Sequence, residues 1–199
     1  MPRYLNKNNW RQLLRRMYSG NGKALRSLGI ILVLVVGIIG LFNNHTTLTS
    51  RPTLSEPLAN WMQKFGVKAL EKPRAIPNIR FQNSEGNEVS LQHFPPSERL
   101  ILIWATWCSP CREEVPYFNR IIEELKSQGI QLIPISVDEE GVAKVKQFYE
   151  AHRIDHLPLY NDSGISTLET LNIGPIPTLI VVNEHGYEIG RRIGRIPGI

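Results

Sequence analysis

Cysteine is almost absent from this chain. Cys108 and Cys111 are the only two in 199 residues, separated by Ser109 and Pro110, and so few exclude a disulfide-built scaffold. Residue 112 is Arg rather than His, which excludes the C-x-x-C-H haem attachment. Acidic residues are missing from positions 1 to 55, a stretch with eight Lys or Arg, whereas the remainder carries 15 basic against 18 acidic residues. The net charge of +5 is therefore a basic head on a mildly acidic body, which is a topology signal and not a nucleic-acid footprint. Long apolar runs are scarce as well. The one clear case, Leu28 to Phe42, has fifteen residues without a charge. It reaches roughly 22 Å as a helix against a hydrocarbon core of ~30 Å, so it spans with Arg26 snorkelling on one side and Asn43 and Asn44 at the other interface. No small-x-small signature follows Phe42, so the run reads as an uncleaved anchor rather than a removed signal. The positive-inside rule then places residues 1–27 in the cytoplasm and everything after residue 42 in the periplasm or its extracytoplasmic equivalent, an oxidising space.

What is present beyond the anchor is globular. Hydrophobic residues make up 42% and charged residues 21%, enough for one core and too little chain for two. Residues 43–57 are rich in Thr, Ser, Asn and Pro and read as a tether. Leu58, Trp61, Met62, Phe65 and Leu70 fall at spacings that predict one amphipathic helix, ended by "KPRAIPN". Ile79, Phe81, Val89 and Leu91 alternate around a turn at Ser84 to Asn87, as in a half-buried hairpin. From residue 99 the pattern becomes strand and helix in turn. "RLILIWAT" and "IQLIPISV" are central strands, with a helix from about Ser109 to Gln128 between them, stopped by Gly129. "EEGVAKVKQFYEAHR" is a second helix, "LPLYND" a short strand, "SGISTLETLNIG" a short helix capped by Ser163, and "PTLIVVNEHGYEIGRRIG" a hairpin turning at Asn183 to Gly186. The expectation is an α/β fold: a mixed sheet flanked by helices, preceded by an N-terminal β-hairpin and a transmembrane helix. The predicted organisation is a cytoplasmic segment 1–27, an anchor 28–42, a tether and amphipathic helix 43–75, and a domain 76–199.

The cysteine pair admits three readings: a redox couple, half of a metal site, or an inert staple. A metal site needs two more ligands, and His152 and His156, although spaced H-x3-H, stand about 40 residues from Cys111 instead of roughly 12–15. A staple closing over two residues constrains the unfolded chain little. The redox reading fits the setting, because the pair directly follows an apolar strand and opens a helix. There the helix N-terminus favours a thiolate at Cys108, which makes it the expected exposed nucleophile. Cys111, nearly one turn on, can resolve a mixed disulfide formed at Cys108. Pro110 suits the first turn, and Trp107 offers a flat apolar surface beside the sulfur.

"LILIWATWCSPCREEVPYFNRI", followed some sixty residues later by "GPIPTLIVVNEHGYEI", resembles the membrane-anchored thioredoxin-like thiol-disulfide oxidoreductases, the group of TlpA, ResA and the cytochrome c maturation reductases. The likeness covers about Ile76 to Gly194. It implies a thioredoxin-like fold and a cis Pro177 packed against the active-site disulfide. The preceding Ile176 would offer its backbone to an extended substrate segment. It also implies that Glu114, three residues after the second cysteine, tunes the acidity of the thiols. It implies protein disulfides as substrates, apocytochrome c among them, a membrane-embedded electron donor, and no cofactor, metal or nucleic acid. Cytoplasmic thioredoxins bury an aspartate six residues before the first cysteine; Leu102 stands there, which favours the extracytoplasmic branch. The family's last strand is normally followed by a helix, and none is legible after Gly194. The helix around Leu58 to Leu70 is therefore expected to cover that face of the sheet, unless the coding sequence stops short. A membrane-tethered copper-binding module, a peroxidase and a redox-inert binding domain on the same fold stay open as alternatives. C-S-P-C has two intervening residues where copper carriers use three, and neither His156 nor His185 has an evident ligand spacing.

Overall fold

The computed structural model describes residues 54–199. The basic head, the apolar run at 28–42 and nearly all of the tether lie outside the described residues. Among the described residues no helix is long and apolar enough to cross a membrane. The described residues all belong to one folded unit.

Helix α1 (Glu56–Lys64) starts where Ser55 caps it: the hydroxyl accepts from the Leu58 N–H at 3.2 Å, and Pro57 fits the first turn, where a missing N–H costs nothing. Ser55 is itself tied to Glu98, its backbone N–H reaching one carboxyl oxygen at 3.0 Å and its hydroxyl the other. The helix ends earlier than the periodicity to Leu70 predicts. Gly66 adopts φ +62°, the left-handed turn that closes a helix, and the Val67 N–H folds back on the Met62 carbonyl at 2.8 Å. The next residues form strand β1 (Lys68–Ala75), so "KPRA" continues a strand where a break was expected. Pro73 is tolerated there because β1 is a sheet edge and its pairing with β8 skips between Ala69 and Arg74. Both α1 and β1 thus belong to the folded unit, whose start was expected at Ile76.

The remaining elements are β2 (Arg80–Asn83), β3 (Glu88–Ser90), β4 (Glu98–Trp104), α2 (Ser109–Ser127), β5 (Ile130–Ser136), α3 (Val142–His152), β6 (Tyr160–Asn161), α4 (Ser166–Thr170), β7 (Thr178–Val182) and β8 (Tyr187–Ile193). They form one eight-stranded sheet in the order β1-β8-β7-β4-β5-β6-β2-β3. β4, β5 and β6 run parallel, β7 antiparallel to β4, and β2 antiparallel to both β3 and β6. Leu100 to Trp104 are fully or almost fully buried, as a strand covered on both faces must be. Pro134 sits inside β5 without breaking it, because β6 pairs only with Ile135 and Ser136 and leaves no ladder position for a Pro134 N–H to fill. The short helix α4 is not capped by Ser163. Asp162 does this work, its carboxyl accepting from the Gly164 and Thr167 N–H groups and the Ser166 hydroxyl, while Ile165 occupies the cap position at φ +52°.

Two right-handed crossovers in the same direction, β4-α2-β5 and β5-α3-β6, put α2 and α3 on one face of the sheet. α1 joins them there. Leu58, Trp61, Met62 and Phe65, at i, i+3, i+4 and i+7, are all buried. Phe65 packs on Phe118 of α2 with ring centroids 5.5 Å apart, and the Trp61 indole N–H donates to Gln128 at 2.7 Å. The opposite face is covered by the return from α4. Gly190 and Arg191 are successive residues of β8 and so address opposite faces. A Cβ on Gly190 would lie 3.0 Å from the Met62 side chain of α1, whereas Arg191 donates to the Leu171 carbonyl at 3.2 Å. The helix near Leu58 therefore covers apolar surface beside α2, the covering role expected of it.

Because β4, β5 and β6 are parallel and β7 and β8 are threaded antiparallel, five segments converge at one end of the sheet. These are residues 105–108, 137–141, 162–165, 172–177 and 194–196, and the cysteine pair lies among them.

Candidate active site

Strand β4 delivers the chain into a tight bend, where the Cys108 N–H returns to the Ala105 carbonyl at 3.2 Å. Cys108 is the N-cap of α2, with extended φ −82° and ψ 110°, and its carbonyl accepts the first helical bond from Arg112 at 3.1 Å. Pro110 occupies the first turn, and Cys111 follows within it. The two sulfurs are joined as a disulfide, with Cα atoms 5.3 Å apart. Further along α2, Pro116 lacks the N–H that would reach Arg112, so that backbone carbonyl has no helical partner.

The two cysteines are not equally enclosed. Both residues are buried, Cys111 at 0% exposure and Cys108 at 6%, so what access the pair has lies at Cys108. Cys108 is more enclosed than the exposed nucleophile expected from the sequence. The physical reason is its neighbour: the Cys108 Sγ lies 3.7 Å from the carbonyl oxygen of Ile176, which lids the sulfur from the side of the sheet. That carbonyl precedes the Ile176–Pro177 peptide bond, which is cis. Thr178 fixes the loop by donating its hydroxyl to the Pro175 carbonyl at 2.7 Å. Pro177 is buried, Ile176 half-buried, and Trp107 stands 65% exposed beside the opening. The structure thus gathers Cys108, Cys111, Trp107, Ile176 and Pro177 into one constellation.

Glu114 lies one turn beyond Cys111 on the same helix and is fully buried. One carboxyl oxygen accepts from the Ile196 N–H at 2.6 Å, and the other has no hydrogen-bond partner. Burial pushes the carboxyl up from 4.5 to about 7, against the opposing pull of the Ile196 N–H, Arg195 and Arg192, while Glu113 adds to the rise. A carboxyl in that range near Cys111 can hold or give up a proton at neutral pH.

Two groups escaped the sequence reading. Asp138, just past β5 and 0% exposed, accepts from both the N–H (2.9 Å) and the hydroxyl (2.6 Å) of Thr106, and also from the Ser136 hydroxyl. The signal was a lone acid directly after an apolar strand. The second is the segment after β8, where Ile196 is 1% exposed and bonds Glu114; nothing in its sequence announces this. Among the described residues no cluster of three or more His, Cys, Asp or Glu side chains is arranged to hold a metal ion. His156 and His185 are exposed beside Asp155 and Glu184, and His152 bonds the Phe148 carbonyl.

The fold and this geometry agree with known proteins. The redoxin family model matches residues 52–197. The chain belongs to the redoxin family. Among curated proteins it is 30% identical over 121 residues to the thiol-disulfide oxidoreductase ResA of Bacillus cereus, which covers 61% of this chain and 69% of that one. It is 26% identical to ResA of Bacillus subtilis, over 61% of this chain and 66% of the relative. Among solved structures, StoA of Bacillus subtilis superposes with a TM-score of 0.53 at 23% identity, over 62% of this chain and 92% of that one. A Chlorobium tepidum protein assigned as the thiol:disulfide interchange protein DsbE gives 0.58 at 22%, over 65% and 89%. These structural likenesses carry the thioredoxin-like fold. Within the redoxin family the chain is an enzyme of the ResA type, a thiol-disulfide oxidoreductase.

Proposed function

We propose that this redoxin reduces disulfides in exported polypeptides from a membrane-tethered position outside the cytoplasm. The position of Cys108 at the helix N-terminus, with the small exposure that Cys111 lacks, carries the reading: Cys108 is the attacking group and Cys111 the resolving one. In the reduced enzyme the Cys108 thiolate attacks one sulfur of a substrate disulfide. That S–S bond breaks, the second substrate sulfur leaves as a thiolate, and a mixed disulfide remains at Cys108. Cys111, having lost its proton, then attacks the Cys108 Sγ, expels the first substrate sulfur as a thiolate, and closes the Cys108–Cys111 disulfide. Two electrons pass to the substrate, which leaves as a dithiol after taking up two protons. Glu114, one helical turn further along, is the proposed tuning residue and would accept the proton of Cys111. Trp107 and the Ile176 backbone would hold the substrate chain, with Pro177 shaping that loop.

A membrane-embedded dithiol donor would return the electrons, and apocytochrome c is the first substrate to test, on the likeness to the ResA group. The basic head at 1–27, the anchor at 28–42 and the tether after it support the location. Direction depends on the reduction potential of the pair, where ~30 mV corresponds to ~1.4 kcal/mol. The deciding experiment is covalent trapping: with Cys111→Ala expressed in the native host, exported cysteine proteins should be recovered attached through Cys108 and released by reductant. Empty traps under both oxidising and reducing growth, together with no insulin reduction by the wild-type domain, would defeat the proposal.

A further inference from the structure

The segment that leaves β8 touches both halves of the site. The Gly194 N–H donates to the Pro177 carbonyl at 2.8 Å, tying the segment to the substrate-facing loop. Two residues on, the Ile196 N–H donates to the buried Glu114 carboxyl at 2.6 Å. Between them Arg195 pairs with Glu113 on α2, and the Arg192 guanidinium holds the Arg195 carbonyl at 2.6 Å, bracing the turn from behind. Ile196 is buried, so this backbone is packed in place and does not lie loosely on the surface. The remaining Glu114 oxygen is enclosed and unpaired, so without these contacts the carboxyl has no fixed orientation on the helix turn it shares with Cys111.

Resting on the function proposed above, we infer that residues 192–196 are a strap that fixes Glu114 behind the resolving cysteine. Arg195 and Ile196 are positioning residues for proton transfer at Cys111. They do not touch the sulfurs. They act through Glu114, whose charged form they favour, while Glu113 opposes it; these three and Arg192 are the charged or hydrogen-bonding groups that bear on the carboxyl. Neutralising Arg195 therefore makes Glu114 hold its proton to higher pH, and neutralising Glu113 makes it release the proton at lower pH.

Both side chains are half exposed, so Arg195→Gln and Glu113→Gln test the strap without opening the core. The measurements are the pH titration of the Glu114 carboxyl carbon by NMR and the pH profile of insulin reduction, for the wild type and each variant. Arg195→Gln should move both midpoints upward and Glu113→Gln downward, by roughly 0.5–1 pH unit, with melting temperatures within about 2 °C of wild type. In a Glu114→Gln background neither substitution should displace the rate profile. Ile196→Pro, which deletes the N–H, should shift the Glu114 titration upward in any preparation that folds. An active wild type whose midpoints ignore all of these changes, or rate shifts that persist without Glu114, would overturn this inference alone. An inactive wild type would overturn the proposed function and this inference with it.

Discussion

Asp138 holds Thr106 by both of its donors, the N–H at 2.9 Å and the hydroxyl at 2.6 Å, two residues ahead of Cys108. The bend that presents Trp107 and Cys108 is thus moored to the end of the neighbouring strand β5. Asp138 is fully buried, and its removal strands Thr106 donors and the Ser136 hydroxyl in a dry site. Asp138→Ala should cost roughly 2–4 kcal/mol, a fall in melting temperature of about 5–15 °C. It should also slow insulin reduction at a temperature where the variant is still folded. Thr106→Val, which deletes one donor, should cost about 1 kcal/mol. Full activity in Asp138→Ala would show that the moorage is not needed by the cysteines.

Glu114 makes the oxidised domain sensitive to pH in an unusual sense. Its folded value lies above its unfolded one, from 4.5 to about 7, so its contribution to stability is fully present below pH 4.5. That contribution is lost as pH rises through 7. The amount at stake is on the order of 3 kcal/mol. Glu188 runs the other way: burial, the largest single effect, raises its carboxyl, but the hydrogen bonds and charges of Arg191 and Arg74 together outweigh it and hold the group below its ordinary value. The measurement is therefore a difference: chemical unfolding of the wild type and Glu114→Gln between pH 4 and 8. The wild type should lose ground to the variant across pH 5–7, and a constant difference would refute the assignment.

The parts of this fold that were legible are those whose signal is local. β4 and β5 read as apolar runs, α2 as a periodic segment stopped by Gly129, and the β7–β8 turn from Asn183 and Gly186, because burial, helical phase and turn chemistry each act within a few residues. α1 and β1 misled for a related reason. Leu70 falls in helical register with Met62, eight residues earlier, but the left-handed Gly66 between them decides, and a glycine's φ is not written in its neighbours. "KPRA" looked like a break since proline is barred from paired positions, and only the tertiary edge location of β1 makes it harmless. At the site, the cysteines, Trp107 and Pro177 were legible through motif and resemblance. The Asp138–Thr106 and Glu114–Ile196 contacts span 32 and 82 residues, and no spacing rule reaches so far.

Phe65 tests whether α1 completes the core. It is fully buried between Trp61 and Phe118 and close to Tyr117. Phe65→Ala should destabilise the domain by about 3–5 kcal/mol, which thermal or urea unfolding would read directly. A loss below 1 kcal/mol would mean that α1 lies on an already complete core.

Gly190 marks the closest approach of β8 to the α1–β1 connection. A Cβ there would come within 2.9 Å of the Lys68 carbonyl oxygen, a backbone atom that cannot swing aside, and of the Val67 Cγ1 side-chain methyl. Gly190→Ala should therefore cost about 1–3 kcal/mol by overpacking, with no change in insulin reduction per folded molecule at 25 °C. A neutral melting temperature would show that the connection can give way.

Trp107, next to Cys108 in the chain, is a large apolar side chain that the fold itself leaves uncovered, at 65% exposure. Exposed apolar area does little for the isolated domain, so Trp107→Ala should change stability by no more than ~0.5 kcal/mol. Its value must then lie in what it covers when a substrate chain arrives over Cys108 and the Ile176 carbonyl. Burying part of an indole against such a chain contributes on the order of 1.5 kcal/mol, which corresponds to roughly tenfold in kcat/KM for a protein disulfide. Trp107→Phe should retain most of that, and a small reagent disulfide, too small to reach the ring, should be reduced almost equally by all three proteins. If Trp107→Ala slows the small reagent as much as the protein, the indole acts on the sulfur and not on the substrate chain.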